Sequence, residues 1–294
     1  MKKRVLVFPC GSEIGLEIAQ SLKYSRHFEL WGASSVPDHG RFVFKNYIQM
    51  NTAIQDDVFV TELLNIVSEY NIDFIFPAHD SVVLKLSECR SVLPCAVITS
   101  SYETCSVCRS KKKTYDRLNG IVAVPRIYDD FEKIKKYPVF LKPDVGQGSK
   151  GIAVAYSKED IVFYQDKDPS LIVLEYLPGK EYTVDCFTDR NGKLLIAEGR
   201  ERVRISNGIS VNTAPCDNKE FAVLAEKINS VLTFSGAWFF QVKENETNEM
   251  VLMEVAPRIA GSMGLDRNRG MNLPLMSLFD ASGLEVNIQK NSFE

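Results

Sequence analysis

A lysine followed by a glycine-rich segment is the most informative chemical feature of this sequence. Lys142 closes the apolar run PVFLK, where burial of a charged amine costs several kcal/mol unless an anion compensates it. The next nine residues contain Gly146, Gly148, Ser149 and Gly151, and the backbone N–H groups of such a loop can hold phosphates. The segment lacks the spacing of a P-loop, so a hairpin tip whose lysine reaches solvent is a fair alternative for it alone.

Two oxygen-bearing side chains interrupt apolar runs nearer the end of the sequence. Gln241 lies within FFQVK and Glu254 within VLMEVAPR, and a polar side chain in such a strand needs a partner. If a turn at Glu244–Glu249 joins two antiparallel strands, both side chains can share one face. Hard oxygen ligands that share a site with phosphates are the usual way to hold Mg²⁺.

Two other motifs favour structural interpretations. The segment Gly11–Gly15 lacks the G-x-G-x-x-G spacing of dinucleotide sites, and Glu13 within it would repel a pyrophosphate, so a tight turn is the better interpretation. Cys105-x2-Cys108 is half of a zinc motif, but no second cysteine pair accompanies it and the three histidines lie far away in sequence. The basic residues that follow, taken alone, are typical of a solvated helix end.

Composition argues against several classes of protein. The 294 residues carry 35 basic and 38 acidic side chains and are 45% hydrophobic, and this near-balance of charge provides no attraction for nucleic acid or an anionic membrane. No apolar run approaches the roughly 18 residues of a membrane span, and the short apolar start predicts a core strand and not a signal peptide. Seven cysteines without framework spacing indicate a reducing, cytoplasmic setting.

The elements that must position the chemical residues follow two patterns. Strands at Lys3–Phe8, Phe28–Ala33 and Asp73–Pro77 alternate with helices, which predicts a mostly parallel α/β domain over about residues 1–100. The pattern changes near residue 105. After a basic helix at Lys111–Asn119, strands separated by turns predominate, which predicts an antiparallel α+β domain. These later strands are predicted at Gly151–Tyr156, Leu171–Glu175, Tyr182–Thr188, Leu194–Val203, Ala237–Val242 and Met250–Val255.

This ordered set of motifs resembles the ATP-grasp superfamily, most closely its carbamoyl-phosphate-synthase-like and amino-acid-ligase branch. The resemblance extends over nearly the whole length and includes Phe76–Asp80, which is similar to a strand-end signature of that family. It implies an α/β plus α+β fold, with an N-terminal Rossmann-like pre-ATP-grasp domain at 1–104 and an ATP-grasp domain at 105–294. Two α+β subdomains would clasp ATP, a lid-bearing one at about 105–172 and a metal and catalytic one at 173–294.

The resemblance also implies a role for each matching residue. At the phosphates, the nucleotide would be bound by Lys111, Lys142, Gly146, Gly148, Ser149 and Gly151, and Lys112 and Lys113 are alternatives to Lys111. At the adenine it would be bound by Glu175, Tyr176 and Leu177, and at the ribose by Glu181. Gln241 and Glu254 match ligands of one or two Mg²⁺ ions, with Mn²⁺ as an alternative. Arg258 matches the arginine that stabilises charge on the transferring phosphoryl group.

One position departs from the family's pattern. The family usually has asparagine two residues after the metal-binding glutamate, in a pattern like E-x-N-P-R, and this chain has Ala256 there. The asparagine would bind a second Mg²⁺. The chain would therefore hold that ion through Glu254, phosphates and water, use a single ion, or lack catalysis. Because Glu254 and Arg258 are both present, the sequence argues against the alternative that lacks catalysis.

Two further sets of residues are predicted to face the acceptor substrate. Arg200, Arg202 and Arg204 recur at every second position, so a strand would place them on one face, with either an anion among them or water around them. By resemblance, Ser262 is an oxyanion donor and Arg269 a clamp for the substrate carboxylate.

The activity implied by the resemblance is that of an ATP-dependent carboxylate–amine ligase. ATP would convert a small carboxylate into an acyl phosphate, and an amine would displace phosphate to give an amide and ADP. The partners would be small-molecule carboxylate and amine substrates, with a homodimer as the default assembly. Two alternatives stay open: phosphorylation of carbamate or bicarbonate as in carbamoyl-phosphate synthesis, and an ATP-binding regulatory module without turnover, which Ala256 favours.

Overall fold

The computed structural model of this chain describes residues 2–288. Within that range, no helix is long and apolar enough to cross a membrane. The described strands are β1 (Lys3–Phe8), β2 (Phe28–Ser34), β3 (Asn46–Gln49), β4 (Phe74–Pro77), β5 (Ala96–Val97), β6 (Val139–Pro143), β7 (Ala153–Ala155), β8 (Leu171–Glu175), β9 (Glu181–Thr188), β10 (Leu194–Ser206), β11 (Ile209–Cys216), β12 (Gly236–Glu244) and β13 (Met250–Ala256). The described helices are α1 (Glu13–Leu22), α2 (Phe59–Glu69), α3 (Asp80–Glu88), α4 (Tyr102–Arg109), α5 (Lys111–Leu118), α6 (Lys158–Lys167), α7 (Lys219–Val231), α8 (Gly264–Asn268) and α9 (Leu273–Ala281).

The first five strands form a parallel sheet in the order β3-β2-β1-β4-β5, as the alternation of strands and helices predicted. β1 is central and pairs with β2 on one side and β4 on the other. It is buried from Val5 to Phe8, as expected for an apolar strand covered on both faces. The loops after β1 and β4 therefore emerge side by side at the carboxyl edge, where the strand order reverses. Open α/β sheets bind ligands at such a point.

Two antiparallel sheets, with strand orders β7-β6-β8 and β11-β10-β9-β12-β13, contain the later strands. The strands predicted in this part are confirmed, with ends that differ by a few residues. Five of the described helices and strands were not predicted, and two of these, β3 and α8, are only four and five residues long. β11 carries many polar side chains and is held by backbone pairing with β10, α4 buries only Thr104 and Cys105, and α9 is buried around most of its circumference and so shows no amphipathic period.

The parallel sheet and the larger antiparallel sheet share one hydrophobic core. α9 packs against both α1 and β12, so Phe28 and Phe187, from the two sheets, lie in a single cluster with Leu273. A buried polar contact crosses the same boundary, because the Thr99 hydroxyl donates to the carbonyl oxygen of Pro257 at 2.9 Å. These contacts fix the edge of the parallel sheet relative to the end of β13, which faces it.

Candidate active site

A cleft of about 690 Å³ lies where the carboxyl edge of the parallel sheet meets the two antiparallel sheets. Its wall on the side of the parallel sheet comes from Ser12–Ile14 after β1 and from Ala78–Asp80 after β4. The residues proposed from the sequence that line the cleft are Lys111, Lys142, Gly146, Gly148, Ser149, Glu181, Arg202, Gln241, Glu254, Arg258 and Ser262. Tertiary structure thus gathers residues that are spread over some 150 positions of the sequence.

Lys142 is the most buried cation of the cleft wall. It is 7% exposed, and its Nζ donates to the Tyr115 hydroxyl at 2.8 Å and to the Met253 carbonyl oxygen at 3.1 Å. Burial, followed by repulsion from Lys111, lowers the pKa of the Lys142 amine to about 7. A nearby anion favours the charged form of such an amine and draws it to full protonation, which suits a phosphate ligand.

We expect Lys142→Met to stabilise the protein more at pH 6 than at pH 10. An unfolded lysine keeps its proton up to about pH 10.4, whereas folded Lys142 loses its proton near pH 7. Between these values the unfolded chain binds more protons, so the free energy of unfolding of the wild type rises with pH. Methionine carries no charge, so the variant avoids the free-energy cost of burying a protonated amine, which the wild type bears at low pH. The gain in Tm over wild type should be at least about 5 °C larger at pH 6 than at pH 10.

The matched control for this measurement is Lys112→Met, because Lys112 is exposed and outside the cleft lining. Its effect on Tm should not vary with pH. If the difference in Tm between Lys142→Met and wild type were the same at both pH values, the lowered pKa of Lys142 would be wrong.

Lys111 is the member of the basic triplet that lines the cleft, whereas Lys112 and Lys113 are exposed. Its Nζ donates to the carbonyl oxygens of Asp144 at 3.2 Å and Gly146 at 3.4 Å. The Asp144 carboxylate in turn accepts a hydrogen bond from the backbone N–H of Lys112 at 2.7 Å. The segment after β6 is therefore joined to the first turn of α5, which brings Lys111 and Lys142 to the same cleft.

Gln241 and Glu254 lie directly opposite each other on β12 and β13, and the predicted turn joins these strands. Both line the cleft, and side chains opposed in this way have Cβ atoms about 5 Å apart. Within residues 2–288, no group of three or more His, Cys, Asp and Glu side chains is placed to hold a metal ion. The two oxygen ligands fit a Mg²⁺ ion that takes its other ligands from phosphate and water.

Ala256 lies in an apolar setting at the position where the family usually has asparagine. It is 4% exposed and belongs to a small buried cluster with Phe239 and Ala260. Phe239 on β12 and Ala260 after β13 therefore pack against the methyl group of Ala256. An asparagine here would have to bring its amide into that apolar cluster, which costs free energy unless a ligand pairs with it.

Arg258 is held by the parallel sheet's side of the cleft. Its Nε and Nη2 donate to the two oxygens of Asp80 at 2.6 and 2.7 Å, a bidentate geometry that fixes the guanidinium plane. Burial alone would raise the pKa of Asp80, but attraction to Arg258 and their hydrogen bonds lower it. The sequence pointed to Phe76–Asp80 as a strand-end signature, but not to this pairing.

Replacing Asp80 with alanine is expected to lower the free energy of unfolding by about 3 kcal/mol, because Arg258 would stay largely buried without its counter-ion. Chemical denaturation measures this difference. Glu88→Ala on the same helix is the matched control, because its pair with Lys85 is well exposed and worth less than about 1 kcal/mol. Equal losses in the two variants would contradict a structural role for the Asp80–Arg258 pair.

The arginines of β10 do not form one row that awaits an anion. Arg200 Nε lies 2.7 Å from Asp185 Oδ2, and Arg202 Nε lies 2.7 Å from Glu181 Oε1. Arg204 is exposed, beyond an irregularity in the pairing with β11. The first two charges are therefore neutralised within the protein. Glu181, expected at the ribose, lines the cleft with one oxygen already in an ion pair.

Ser262 and Arg269, both predicted to face the substrate carboxylate, have different surroundings. Arg200 Nη1 donates to Ser262 Oγ at 2.8 Å, which leaves the serine hydrogen free to donate into the cleft. Arg269 Nη1 lies 3.3 Å from Glu198 Oε2 and 3.8 Å from Asp266 Oδ1. These carboxylates hold the guanidinium outside the cleft lining, so the structure does not place Arg269 where the clamp was expected.

Four of the residues expected at the nucleotide also lie outside the lining. Glu175 ends β8, and its Oε1 accepts a hydrogen bond from the backbone N–H of Arg126 at 3.1 Å, while Tyr176 and Leu177 follow that strand. Gly151 ends the glycine-rich segment with a left-handed φ of 72°. The structure thus brings together the phosphate and metal candidates more closely than the adenine candidates.

Comparisons of the sequence find ATP-grasp proteins. A family model described as "ATP-grasp in the biosynthetic pathway with Ter operon" matches residues 167–293, which include Gln241, Glu254 and Arg258. The carbamoyl phosphate synthase large chain of Clostridium botulinum (strain Eklund 17B / Type B) is 28% identical across 47% of this chain and 14% of that relative. The present chain therefore corresponds to a small part of that relative's length.

Comparisons of the structure find the same fold. The biotin carboxylase domain of Hydrogenobacter thermophilus 2-oxoglutarate carboxylase, a dimer in complex with MgADP, ADP and bicarbonate, superimposes with a TM-score of 0.80 at 15% identity, covering 99% of this chain and 72% of that chain. The L-amino acid ligase from Bacillus licheniformis gives a TM-score of 0.75 at 14% identity, covering 99% and 78%. At these identities the likeness shows the fold alone. With the sequence matches, it confirms the predicted resemblance.

Proposed function

We propose that this chain, an ATP-grasp protein with carbamoyl-phosphate-synthase-like relatives, is an ATP-dependent carboxylate–amine ligase. The observation that carries the proposal is the single cleft in which Lys111 and Lys142 share one volume with the opposed oxygen ligands Gln241 and Glu254 and with Arg258. Cationic groups and hard oxygen ligands around one volume suit a nucleoside triphosphate with Mg²⁺. The carboxylate substrate, which accepts the phosphoryl group, would enter from the side of Ser262.

Each group of the cleft has a definite task in this reaction. Lys142 and Lys111 bind phosphate oxygens, and Arg258 stabilises charge that develops on the transferring phosphoryl group. Gln241 and Glu254 would hold a Mg²⁺ ion, which would supply further neutralisation of phosphate charge. A carboxylate oxygen attacks the γ-phosphorus and ADP leaves. The amine nitrogen then attacks the acyl carbon, the C–O bond to phosphate breaks, and the nitrogen loses a proton as the amide forms.

Ser262 is suited to the carbonyl oxygen of this acyl group. Because Arg200 donates into Ser262 Oγ, the hydroxyl is oriented with its hydrogen available to an oxygen in the cleft. Such a donor stabilises negative charge on the acyl oxygen during attack by the amine. The charge of Arg200 is itself balanced by Asp185, so the arrangement holds the hydroxyl in place without adding an unpaired buried charge.

The proposal extends to the organisation of the chain. The parallel sheet is the Rossmann-like pre-ATP-grasp domain at residues 1–104, and residues 105–294 form the ATP-grasp domain, with a lid-bearing subdomain to about residue 172. Glu175, Tyr176 and Leu177 serve the adenine and Glu181 the ribose. A homodimer is the proposed assembly, supported by the dimeric biotin carboxylase domain that shares the fold.

The experiment that tests the activity is incubation of the protein with MgATP, pooled carboxylic and amino acids, and hydroxylamine. We expect release of ADP together with a hydroxamate, because hydroxylamine intercepts an acyl phosphate. Separating the pool then identifies the carboxylate. MgATP binding without ADP or hydroxamate from any pool would overturn the ligase and favour a regulatory module.

A second candidate, phosphorylation of bicarbonate or carbamate, is favoured by the match to a carbamoyl phosphate synthase large chain. It requires no organic carboxylate. ADP release that depends on bicarbonate alone, without any hydroxamate from the carboxylate pool, would select this candidate over the ligase.

A further inference from the structure

The glycine-rich segment Gly146–Gly151, called the loop here, contacts two walls of the cleft within the ATP-grasp part. On one side, Arg109 Nη1 and Lys111 Nζ both donate to the carbonyl oxygen of Gly146, at 3.2 and 3.4 Å. On the other side the loop meets the turn between β10 and β11. A Cβ atom at Gly208 would come within 2.6 Å of the Gly148 carbonyl carbon, so this close approach requires glycine.

A third contact joins the loop to the parallel sheet. The side-chain amide of Gln147, in the middle of the loop, is hydrogen-bonded to Nε2 of His79. His79 follows β4 and caps α3, because its Nδ1 accepts the backbone N–H of Ser81 at 3.3 Å. The loop therefore spans the cleft, with its middle residue attached to the part of the chain that precedes the ATP-grasp part.

In the hydrogen bond between His79 and Gln147, the protonation of the histidine ring determines which group donates and which accepts. Burial lowers the pKa of His79, so the ring is neutral at pH 7, and since Nδ1 accepts, the ring proton is on Nε2. Nε2 then needs an acceptor. Within residues 2–288 the Gln147 Oε1 atom is buried without a hydrogen-bond partner. Exchanging the oxygen and nitrogen of the amide, which are assigned from their hydrogen bonds, gives the Nε2–H group an acceptor and Oε1 a donor, and the amide nitrogen takes the buried position without a partner.

We infer that His79 is a positioning residue that holds the loop closed over the nucleotide by donating a hydrogen bond from Nε2 to Gln147 Oε1. The inference rests on the proposed function for the identity of the ligand as MgATP. His79 itself need not touch the nucleotide. Because the loop lines the cleft, this bond must open before the loop can move off a ligand beneath it, so the pair should slow nucleotide release.

Two substitutions remove the bond from opposite ends. His79→Asn keeps an oxygen that can cap α3, since asparagine is a favoured N-cap residue, but its side chain is too short to reach Gln147. Gln147→Ala removes the acceptor. Gln165→Ala is the control, because Gln165 Nε2 donates to the carbonyl of Leu171 at 2.9 Å, at the same three-stranded sheet but outside the cleft lining.

The first measurement is the dissociation rate of the fluorescent analogue mant-ATP with Mg²⁺, chased with unlabelled ATP. We expect each single variant to release the analogue about 5–10 times faster than wild type, the gain expected from one lost hydrogen bond. The double variant His79→Asn/Gln147→Ala should be no faster than the faster single variant, because both changes remove the same interaction. Additive effects of the two substitutions would overturn the inference.

The second measurement follows tryptic cleavage after Lys150 in the nucleotide-free protein. Both single variants should be cut in the loop several times faster than wild type and Gln165→Ala, because the loop opens more often. This measurement needs no ligand, so it separates the two proposals. A wild type that fails to bind mant-ATP would count against the proposed function. Wild-type rates of cleavage and release in both variants would count against the pairing of His79 and Gln147 alone.

Discussion

Lys142→Met is expected to lower ATP turnover by about 10²–10³-fold, the range found for loss of one preorganised donor to developing charge. Lys142 is almost fully buried at the cleft wall, with a neutral hydroxyl and a carbonyl oxygen as its partners, so its charge is available to a phosphate. Methionine keeps most of the side-chain volume, and the hydrogen bond from the Tyr115 hydroxyl to the Met253 carbonyl oxygen, 2.7 Å long, stays possible. The fold should therefore survive.

The measurement is ADP release under the conditions that give hydroxamate in the wild type, together with the circular dichroism spectrum of the variant. Lys112→Met is the matched control, since Lys112 follows Lys111 on α5 but is exposed and is not among the residues that line the cleft. Turnover within about threefold of wild type in Lys142→Met would remove this lysine from the phosphate site.

Glu254→Gln has the second large expected effect, a loss of turnover of at least about 10²-fold with a higher Mg²⁺ concentration at half-saturation. Glutamine keeps the shape and one oxygen of the glutamate but loses its charge. It would then face Gln241 across β12 and β13, leaving no carboxylate in that opposed pair. Burial lowers the pKa values of Lys111 and Lys142, and attraction to Glu254 opposes that lowering, as it also opposes the effect of burial on the pKa of Arg258. Loss of the Glu254 charge therefore unbalances the cationic cleft.

A titration of activity against Mg²⁺ distinguishes these effects. Glu249→Gln is the control, because Glu249 is exposed on the turn between the same two strands and faces no part of the cleft lining. If Glu254→Gln had the Mg²⁺ dependence of the wild type, its carboxylate would not be a metal ligand, whatever the loss in turnover. Higher Mg²⁺ should restore part of the activity of Glu254→Gln.

The local part of the site could be predicted from the sequence. Gln241 and Glu254 are opposed because β12 and β13 follow each other through a short turn, and a short turn leaves little freedom in the register of two strands. Lys142 at the end of β6 was placed by a short-range signal, an apolar run, whereas Lys111 at the start of α5 was singled out only by the family resemblance. These are the residues that proved to line the cleft.

The contacts that connect distant parts of the chain could not be predicted. Arg258 and Asp80 are 178 positions apart, and nothing near either residue indicates that they meet. The arginines of β10 were expected to share one face, with an anion among them or water around them. In the structure, Arg200 and Arg202 instead form ion pairs with carboxylates of the protein. Which charge has an internal partner depends on how sheets and helices pack, and a single sequence does not carry that information in its local pattern.

The sequence by itself determined the chemical inventory of this protein: two lysines proposed to bind phosphate, a glycine-rich segment, two candidate oxygen ligands and an arginine, on strands and helices of predictable type. Only the tertiary structure decided which of these charges are neutralised inside the protein and which face the cleft. It held Arg269 beside Glu198 and Asp266 and attached Gln147 to His79. The physical reason is that periodicity arises from neighbours in the chain, whereas burial and charge pairing arise from neighbours in space.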